Sequence, residues 1–280
     1  MDLGLANKTA VVVGGSSNIG RATVLALARE GANVVIVARN RVDCERVAAE
    51  AGGQSHVITA DATKYEDLER MAKEVLELHG GIDIFVGSMG WDSPGDFLEV
   101  DRQEWQEVIQ SNYVSTLNWF HIMLPIMKAQ KSGTIITVSS VMGRRPDPLE
   151  PVYAGTKAAQ IVFSQCMAKQ YGPDGIRINV VAPGPTPPRR VSDAGNSSLW
   201  LRPEQGEVGW LPGPDRDNGG PALVPAPGGP QAGLLDATVL GKFGAAEDTA
   251  AAIVFLASEV TAGHLTGQVI GVDGGMYMPR

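Results

Sequence analysis

The sequence is poor in several residue types, and each shortage excludes a class of protein. Its 280 residues include only two cysteines, Cys44 and Cys166, too few for a disulfide framework or a thiolate zinc site. Positive charge is scarce as well, since 23 lysines and arginines face 31 acidic residues, for a net charge of −8. Nucleic acids and anionic membranes attract basic surfaces, so the sequence predicts neither as a partner.

Long apolar runs are missing too. No stretch reaches the roughly 18 apolar residues that span a bilayer, and the opening MDLGLANKTAVVV lacks the basic-then-apolar pattern of a signal peptide. We therefore expect a cytoplasmic protein. No metal site is predicted, because metal-ligand spacing is absent among the four histidines, His56, His79, His121 and His264.

Short runs rich in valine and isoleucine alternate with longer amphipathic stretches. The alternation predicts a single-domain α/β protein with a doubly wound (Rossmann) seven-stranded parallel sheet and helices on both faces. The predicted strands are Thr9–Val13, Val34–Ala38, His56–Ala60, Ile82–Val86, Gly133–Val138, Ile176–Val181 and Gln268–Val272. The predicted helices include Arg21–Glu30, Glu66–Leu78, Arg102–Lys128, Val152–Tyr171 and Glu247–Leu256.

Residues 185–240 interrupt this alternation. Pro183–Leu240 holds eleven of the 18 prolines, and Gly213–Gly233 is so rich in proline and glycine that it predicts neither helix nor strand. Connections of this length are uncommon inside compact domains. Two interpretations stay open: a mobile surface insertion, or a substrate lid with apolar anchors at Trp200, Leu201, Trp210 and Leu211.

A glycine-rich turn, VVVGGSSNIGRA (Val11–Ala22), follows the first predicted strand and begins the first helix. A helix N-terminus presents unpaired N–H groups and the positive end of the helix dipole, which suit the pyrophosphate of a dinucleotide. Position within a strand–helix–strand unit makes this interpretation stronger than a glycine cluster alone would. The predicted cofactor contacts here are Gly14, Ser16, Ser17, Asn18, Ile19 and Gly20.

The second strand ends without the acidic residue that would bind the ribose hydroxyls of NAD. Ala38 occupies that place and is followed by Arg39, Asn40 and Arg41. Arginine pairs well with phosphate, so the sequence favours NADP, held by Arg39 and Asn40, while NAD stays open. The alternative is that these arginines form a solvated cluster at the start of the next helix.

A tyrosine and a lysine lie four residues apart in a helix that is otherwise apolar. Tyr153 and Lys157 therefore share one helix face. Burying a phenol and an ammonium without partners costs several kcal/mol, so we expect this face to meet a ligand instead of bare core.

Together these motifs resemble the short-chain dehydrogenase/reductase family, in particular its 3-oxoacyl reductases, over nearly the whole chain. The matching segments are GGSSNIG (Gly14–Gly20), ADAT (Ala60–Thr63), SN (Ser111–Asn112), TVSSV (Thr137–Val141), YAGTK (Tyr153–Lys157), NVVAPG (Asn179–Gly184) and VDGG (Val272–Gly275).

The resemblance implies a catalytic tetrad of Asn112, Ser140, Tyr153 and Lys157. Tyr153 would exchange a proton with a substrate oxygen, which Ser140 would also hydrogen-bond. Lys157 would hold the nicotinamide ribose, and its ammonium, together with the oxidised nicotinamide ring, should lower the pKa of the phenol. Asn112 would anchor a water that continues a proton relay. The resemblance selects Ser140 over the neighbouring Ser139.

The resemblance also implies further cofactor contacts at Asp61, Ala62, Gly90, Pro183, Gly184 and Thr186, and it implies that Trp91 joins Ser140 and Tyr153 at the substrate. Three features depart from the family pattern. Asn18 replaces a glycine, although asparagine tolerates left-handed backbone angles. GSMG (Gly87–Gly90) lacks an asparagine that ties neighbouring strands, and Thr186 is offset from its usual place, which Pro188 takes.

We therefore expect an oxidoreductase that transfers a hydride between NADP and a secondary alcohol or ketone, such as a 3-oxoacyl thioester or a cyclic or aryl ketone. One alternative is an NAD-dependent secondary alcohol dehydrogenase. Another is a nucleotide-binding regulatory or scaffold protein of the same fold with little activity. The resemblance also implies a homotetramer or dimer.

Overall fold

The centre of the molecule is a sheet of seven parallel strands. The computed structural model describes residues 1–53, 55–189, 193–194, 210–215, 221–225 and 232–279. The strands are β1 (Thr9–Val13), β2 (Asn33–Ala38), β3 (Ser55–Thr59), β4 (Ile84–Gly87), β5 (Gly133–Val138), β6 (Ile176–Pro183) and β9 (Val269–Val272). Their order across the sheet is β3-β2-β1-β4-β5-β6-β9, which confirms the predicted doubly wound fold.

Helices cover both faces of the sheet. The main ones are α1 (Asn18–Arg29), α2 (Arg41–Ala51), α3 (Tyr65–His79), α4 (Arg102–Ile109), α5 (Ser115–Gln130), α6 (Pro151–Tyr171), α8 (Ala246–Ala257) and α9 (Glu259–Ala262). Successive residues of β1 alternate between two apolar cores: Val11 and Val13 face α3 and α5, whereas Ala10 and Val12 face α1, α2 and α8. Two-sided burial explains why the strands read as continuous apolar runs. Within the described residues, no helix is long and apolar enough to cross a bilayer.

One predicted helix is divided in the structure. Arg102–Lys128 was expected to be continuous, but a π-helical turn, Gln110–Val114, separates α4 from α5. A π-turn adds one residue to a helical turn and often occurs at functional sites. Asn112 lies in this turn and is fully buried.

The prediction that Gly213–Gly233 holds no regular structure is wrong. β7 (Trp210–Asp215) and β8 (Pro221–Pro225) form an antiparallel hairpin, and the short helix α7 (Ala232–Asp236) follows. Each strand of a two-stranded ribbon has one unpaired edge, where proline removes no ladder hydrogen bond. Of the proposed lid anchors, Trp210 and Leu211 belong to β7, and Trp200 and Leu201 lie outside the described residues.

A buried arginine joins the last helices to the sheet. Arg177, in β6, donates hydrogen bonds to the carbonyl oxygens of Leu256, Ala257 and Ala262 and to the hydroxyl of Thr134. Its ion pair with Glu259 is 3.1 Å long, but the Glu259 side chain is 80% exposed. The carbonyl contacts therefore matter more than the ion pair, which water screens.

Replacing Arg177 by methionine is expected to lower the free energy of unfolding by about 2–4 kcal/mol, because several buried carbonyl groups lose a charged donor. Glu259→Gln should change it by less than about 1 kcal/mol. Urea denaturation of the two variants checks this. Equal losses would show that the ion pair, not the carbonyl contacts, holds α8 and α9.

Candidate active site

The predicted site residues gather at the carboxyl edge of the sheet. The chain order reverses between β1 and β4, and ligands of doubly wound proteins bind at such a point. The glycine-rich turn follows β1, Arg39 follows β2, Gly90 follows β4 and Ser140 follows β5. Parallel strands bring these loops together although they are far apart in the sequence.

The glycine-rich turn packs tightly against the loop after β4. Gly14 has a φ of 78°, and a Cβ there would lie 3.1 Å from the Ser88 carbonyl. A Cβ on Gly20 would collide with the carbonyl oxygen of Gly14. Asn18 has a φ of 40°, so asparagine does adopt the left-handed conformation where the family has glycine.

The start of α1 is suited to bind an anion. Its N-cap residue Ser17 makes no side-chain capping bond, and the first turn contains no acidic residue, so the backbone N–H groups and the positive dipole end are not neutralised. Asn18 Nδ2 donates to the carbonyl oxygen of Thr186 at 2.9 Å, while Asn18 Oδ1 is buried without a partner among the described residues. Thr186 therefore reaches this cradle despite its offset in sequence. An uncapped helix start and an unpaired buried acceptor fit a dinucleotide pyrophosphate.

The residues after β2 have separate roles. Asn40 caps α2, accepting from the N–H groups of Val42 and Asp43, and Arg41 pairs with Glu45. Arg39 is exposed and, within the described residues, has no hydrogen bond or ion pair. Arg39 is thus the one of the three side chains with no competing contact among the described residues, whereas the Arg41–Glu45 pair is exposed and weak. Sequence reasoning missed Arg46, which lies 3.5 Å from the carbonyl oxygen of Ser16.

The loops after β3 and β4 lie beside the glycine-rich turn and the end of β2. Asp61 Oδ1 accepts from both the N–H and the hydroxyl of Thr63, and Ala62 is buried. The Ser88 hydroxyl donates to the Val13 carbonyl oxygen at 3.1 Å and so ties β4 to β1. Ser88 thus supplies the strand connection for which the sequence lacked an asparagine.

Lys157 lies at the bottom of the site. Its side chain is almost fully buried, and Nζ donates to the Val138 carbonyl oxygen at 3.3 Å. Nζ is 5.4 Å from the centroid of the Tyr153 ring. A Cβ on Gly90 would lie 3.2 Å from both Nζ and Asn112 Oδ1. Gly90, on its loop after β4, therefore packs closely against both groups, and a side chain at this position would crowd them.

The two adjacent serines differ in their contacts. The Ser139 hydroxyl donates to the Lys157 carbonyl oxygen at 2.8 Å and so binds α6 to β5. Ser140 Oγ accepts from the Met142 N–H at 3.1 Å, and its hydroxyl is close enough to Tyr153 to lower the pKa of the phenol. Ser140, not Ser139, is thus the serine beside the phenol.

In the protein alone the pKa of Tyr153 is raised, and the expected lowering, which also involves the oxidised nicotinamide ring, stays a prediction for the cofactor complex. Burial raises the pKa of the phenol, the Asp92 and Glu150 carboxylates raise it further, and Ser140 opposes them. Burial also lowers the pKa of Lys157 to about 7, against an attraction to Asp92. The ammonium of Lys157 is therefore destabilised by the same burial that disfavours the phenolate.

Two carboxyl groups near Tyr153 were missed from the sequence. Burial raises the pKa of Asp92 to about 6, and burial with the neighbouring charges of Asp92 and Asp147 raises the pKa of Glu150 to about 8. Asp92 lies in the loop after β4, and Glu150 directly precedes α6. Neither residue belongs to a motif, so only their burial in the folded chain identifies them.

Asn112 holds the loop that carries Trp91. Its Nδ2 donates to the Trp91 carbonyl oxygen, and its Oδ1 accepts from the Trp91 N–H at 3.4 Å. The indole itself is partly exposed beside the site.

The wall facing Tyr153 is apolar. Tyr153 and Leu234, from α7, pack with Met142, Met276 and Tyr277 in one cluster. Arg144 lies over the Tyr277 ring at 4.2 Å and fixes the C-terminal segment. Pro183 and Gly184, at the end of β6, adjoin this cluster through Asp273, since a Cβ on Gly184 would lie 2.9 Å from Asp273 Cα.

Three features together define the class of protein: a parallel doubly wound sheet, an uncapped helix start behind a glycine-rich turn, and a tyrosine–lysine pair at the same edge. The class is that of NAD(P)-dependent oxidoreductases that act on carbonyl or hydroxyl groups. A family model described as short chain dehydrogenase matches residues 8–196. The chain belongs to this family.

Similar proteins support this over the full length. The chain is 33% identical to the 3-oxoacyl-[acyl-carrier-protein] reductase FabG of Staphylococcus epidermidis, covering 97% of this chain and 100% of the relative. It is 29% identical to the FabG of Thermotoga maritima, with 98% and 99% covered. The crystal structure of gox2181 shares the fold, with a TM-score of 0.81 at 24% identity over 97% and 96% of the two chains.

Replacing Asp92 by asparagine or Glu150 by glutamine is expected to lower the pKa of Tyr153, because each change removes a negative charge that disfavours the phenolate. Alcohol oxidation needs the phenolate as base, so the rise of kcat/KM with pH should move down by about half a unit to one unit. The effect belongs to the alkaline limb, because Asp92 is charged above about pH 6 and Glu150 only above about pH 8.

A pH–rate profile measures this shift. Glu107→Gln, on the exposed face of α4, removes the same charge farther away and should leave the profile unchanged. Profiles of Asp92→Asn and Glu150→Gln that coincide with that of the unmodified protein would refute the electrostatic coupling.

Proposed function

We propose that the protein is an NADP-dependent reductase that converts a ketone, such as a 3-oxoacyl thioester or a cyclic or aryl ketone, to a secondary alcohol. The observation that carries this proposal is the placement of Ser140 and Tyr153 above the buried Lys157, at the edge of the sheet that carries the dinucleotide cradle. The full-length similarity to 3-oxoacyl-[acyl-carrier-protein] reductases supports the thioester as first substrate to test.

The cofactor would be held by the uncapped start of α1, Asn18, Gly90 and Lys157, with Arg39 at the 2′-phosphate. When bound, NADPH supplies the hydride that reduces the carbonyl carbon. Tyr153 donates its phenolic proton to the carbonyl oxygen, and the Ser140 hydroxyl hydrogen-bonds the same oxygen as its negative charge develops. A raised pKa keeps the phenol protonated at neutral pH, which is the state that reduction requires.

The segment 185–240 would cover the substrate, as a lid rather than a passive insertion. Its described part supports this, because Leu234 of α7 packs in the same apolar cluster as Tyr153. An apolar wall suits an acyl chain or an aromatic ring.

We further propose a cytoplasmic homotetramer, or a dimer, in which α4–α5 and α6 form one interface. Val162 and Cys166 are exposed on α6, where a second subunit would cover them.

Arg39→Ala is expected to weaken NADPH binding tenfold or more, about 1.4 kcal/mol, and to leave NADH binding within twofold, because only NADPH carries the 2′-phosphate. Fluorescence titration of each reduced cofactor measures both. Arg41→Ala is the matched control, since Arg41 pairs with Glu45 and should affect neither cofactor. Tighter binding of NADH than NADPH by the unmodified protein would favour the NAD-dependent alcohol dehydrogenase instead.

Tyr153→Phe is expected to lower kcat for reduction of a 3-oxoacyl thioester by about 10²–10⁴-fold, because the proton donor is lost. NADPH binding should stay within about threefold, since the ring remains in place. NADPH oxidation at 340 nm with acetoacetyl-CoA, a cyclic ketone and an aryl ketone tests it. Tyr171→Phe, at the last turn of the same helix, should keep full activity. Turnover by Tyr153→Phe at the unmodified rate would exclude this mechanism.

A further inference from the structure

A buried glutamine links the helix of Tyr153 and Lys157 to the π-turn of Asn112. Gln160 follows Lys157 by three residues in α6 and is completely buried. Its Nε2 donates to the backbone carbonyl oxygen of Asn112 and to the hydroxyl of Thr116, both at 2.8 Å. Gln160 is 44 residues from Thr116 and 48 residues from Asn112 along the chain, so these contacts join distant parts of the sequence.

The orientation of the Gln160 amide is fixed by its neighbours. The Thr116 hydroxyl donates to the Asn112 carbonyl oxygen at 2.7 Å, so its remaining lone pairs face Gln160 as acceptors. A rotated amide would direct Oε1 at that carbonyl oxygen, and two acceptors would repel each other. Nε2 must therefore face Asn112.

This orientation leaves Gln160 Oε1 buried without a partner among the described residues. An unpaired buried oxygen destabilises the folded state, whereas an apolar side chain of the same length would not. The neighbouring residue Ile161 is apolar and buried, as expected for a core position. Stability therefore does not explain a glutamine at position 160.

The contacts of Asn112 indicate what the glutamine does. Gln160 holds the backbone of Asn112 from one side, and on the other side the Asn112 side chain holds the N–H and the carbonyl oxygen of Trp91. Asn112 Oδ1 and Lys157 Nζ also pack against the same residue, Gly90. A shift of Asn112 would therefore move the Trp91 loop relative to Lys157.

We propose that Gln160 is a positioning residue: by fixing the Asn112 carbonyl it sets the position of the Trp91 loop beside Lys157 and so the width of the substrate cleft. Its role as a determinant of substrate binding rests on the proposed reductase function. Gln160 touches neither substrate nor cofactor and acts only through Asn112 and Trp91.

The test replaces Gln160 by methionine, which keeps the length of the side chain and removes both donors and the unpaired oxygen. The KM for acetoacetyl-CoA should rise at least fivefold, while kcat and the NADPH dissociation constant stay within twofold. The melting temperature should be equal or higher. Ser164→Ala is the matched control, since it removes a buried hydrogen bond to Thr137 one turn further along α6 and should leave KM unchanged.

The route through Asn112 has its own test. The KM of Asn112→Ala should not rise further when Gln160→Met is added, because both changes release the same loop. Three outcomes would each overturn the proposal. They are a KM in the double variant that equals the product of the two single effects, an unchanged KM in Gln160→Met, and a lower melting temperature of Gln160→Met with unchanged kinetics.

A third measurement needs no turnover. Acrylamide quenching of Trp91, obtained by subtracting the signal of a Trp91→Phe background, should increase in Gln160→Met and stay unchanged in Ser164→Ala. If the unmodified protein reduces no ketone, the proposed function fails while this result still decides whether Gln160 positions the loop. Unchanged quenching in Gln160→Met would refute the positioning role.

Discussion

The burial of the Lys157 amino group is the constraint on which the site depends. Among the described residues its Nζ donates one hydrogen bond, to the Val138 carbonyl oxygen, and burial lowers its pKa to about 7. Close approach of α6 to the sheet is needed to bury it, and glycine permits that approach: a Cβ on Gly143 would lie 2.7 Å from the Lys157 carbonyl carbon. The loop of Ser140 can therefore lie directly on the helix of Tyr153. One helix-to-loop contact thus sets the distances among all three groups.

The stability needed for such a site comes from elsewhere in the molecule. Several buried polar atoms have no partner among the described residues, and two of them, Asn18 Oδ1 and Gln160 Oε1, lie near the site. Each costs about 1–3 kcal/mol, comparable to a good part of the margin by which a protein is stable. Two apolar cores, one on each face of the sheet, offset these costs. Residues that contact both the site and the sheet, such as Ser139 and Ser88, connect the polar edge to this rigid frame.

Sequence reasoning predicted the sheet because its signal is local: two-sided burial makes most of the central strands short apolar runs, and glycines mark the turn after β1. It located Ser140, Tyr153 and Lys157 by their motif spacing, and their catalytic roles stay predictions.

Sequence reasoning failed for features that depend on contacts between residues far apart in the sequence. The burial that raises the pKa of Asp92, Glu150 and Tyr153 exists only in the folded chain. Gln160 had a usable signal, since positions 153, 157 and 160 follow one helix face. The β7–β8 hairpin was missed because proline was treated as a strand breaker, although an unpaired ribbon edge tolerates it.

Burial and charge affect the protonation of Tyr153 in different pH ranges. Burial raises the pKa of the phenol, whereas Asp92 is charged only above about pH 6 and Glu150 only above about pH 8. At neutral pH the phenol is therefore protonated mainly because it is buried, and the two carboxylates add to this as the pH rises. The same burial makes the phenol a weaker acid, because the phenolate left after proton transfer is destabilised. Proton transfer in either direction therefore depends on groups that stabilise the phenolate, and Ser140 is placed to do this because it lowers the pKa of Tyr153.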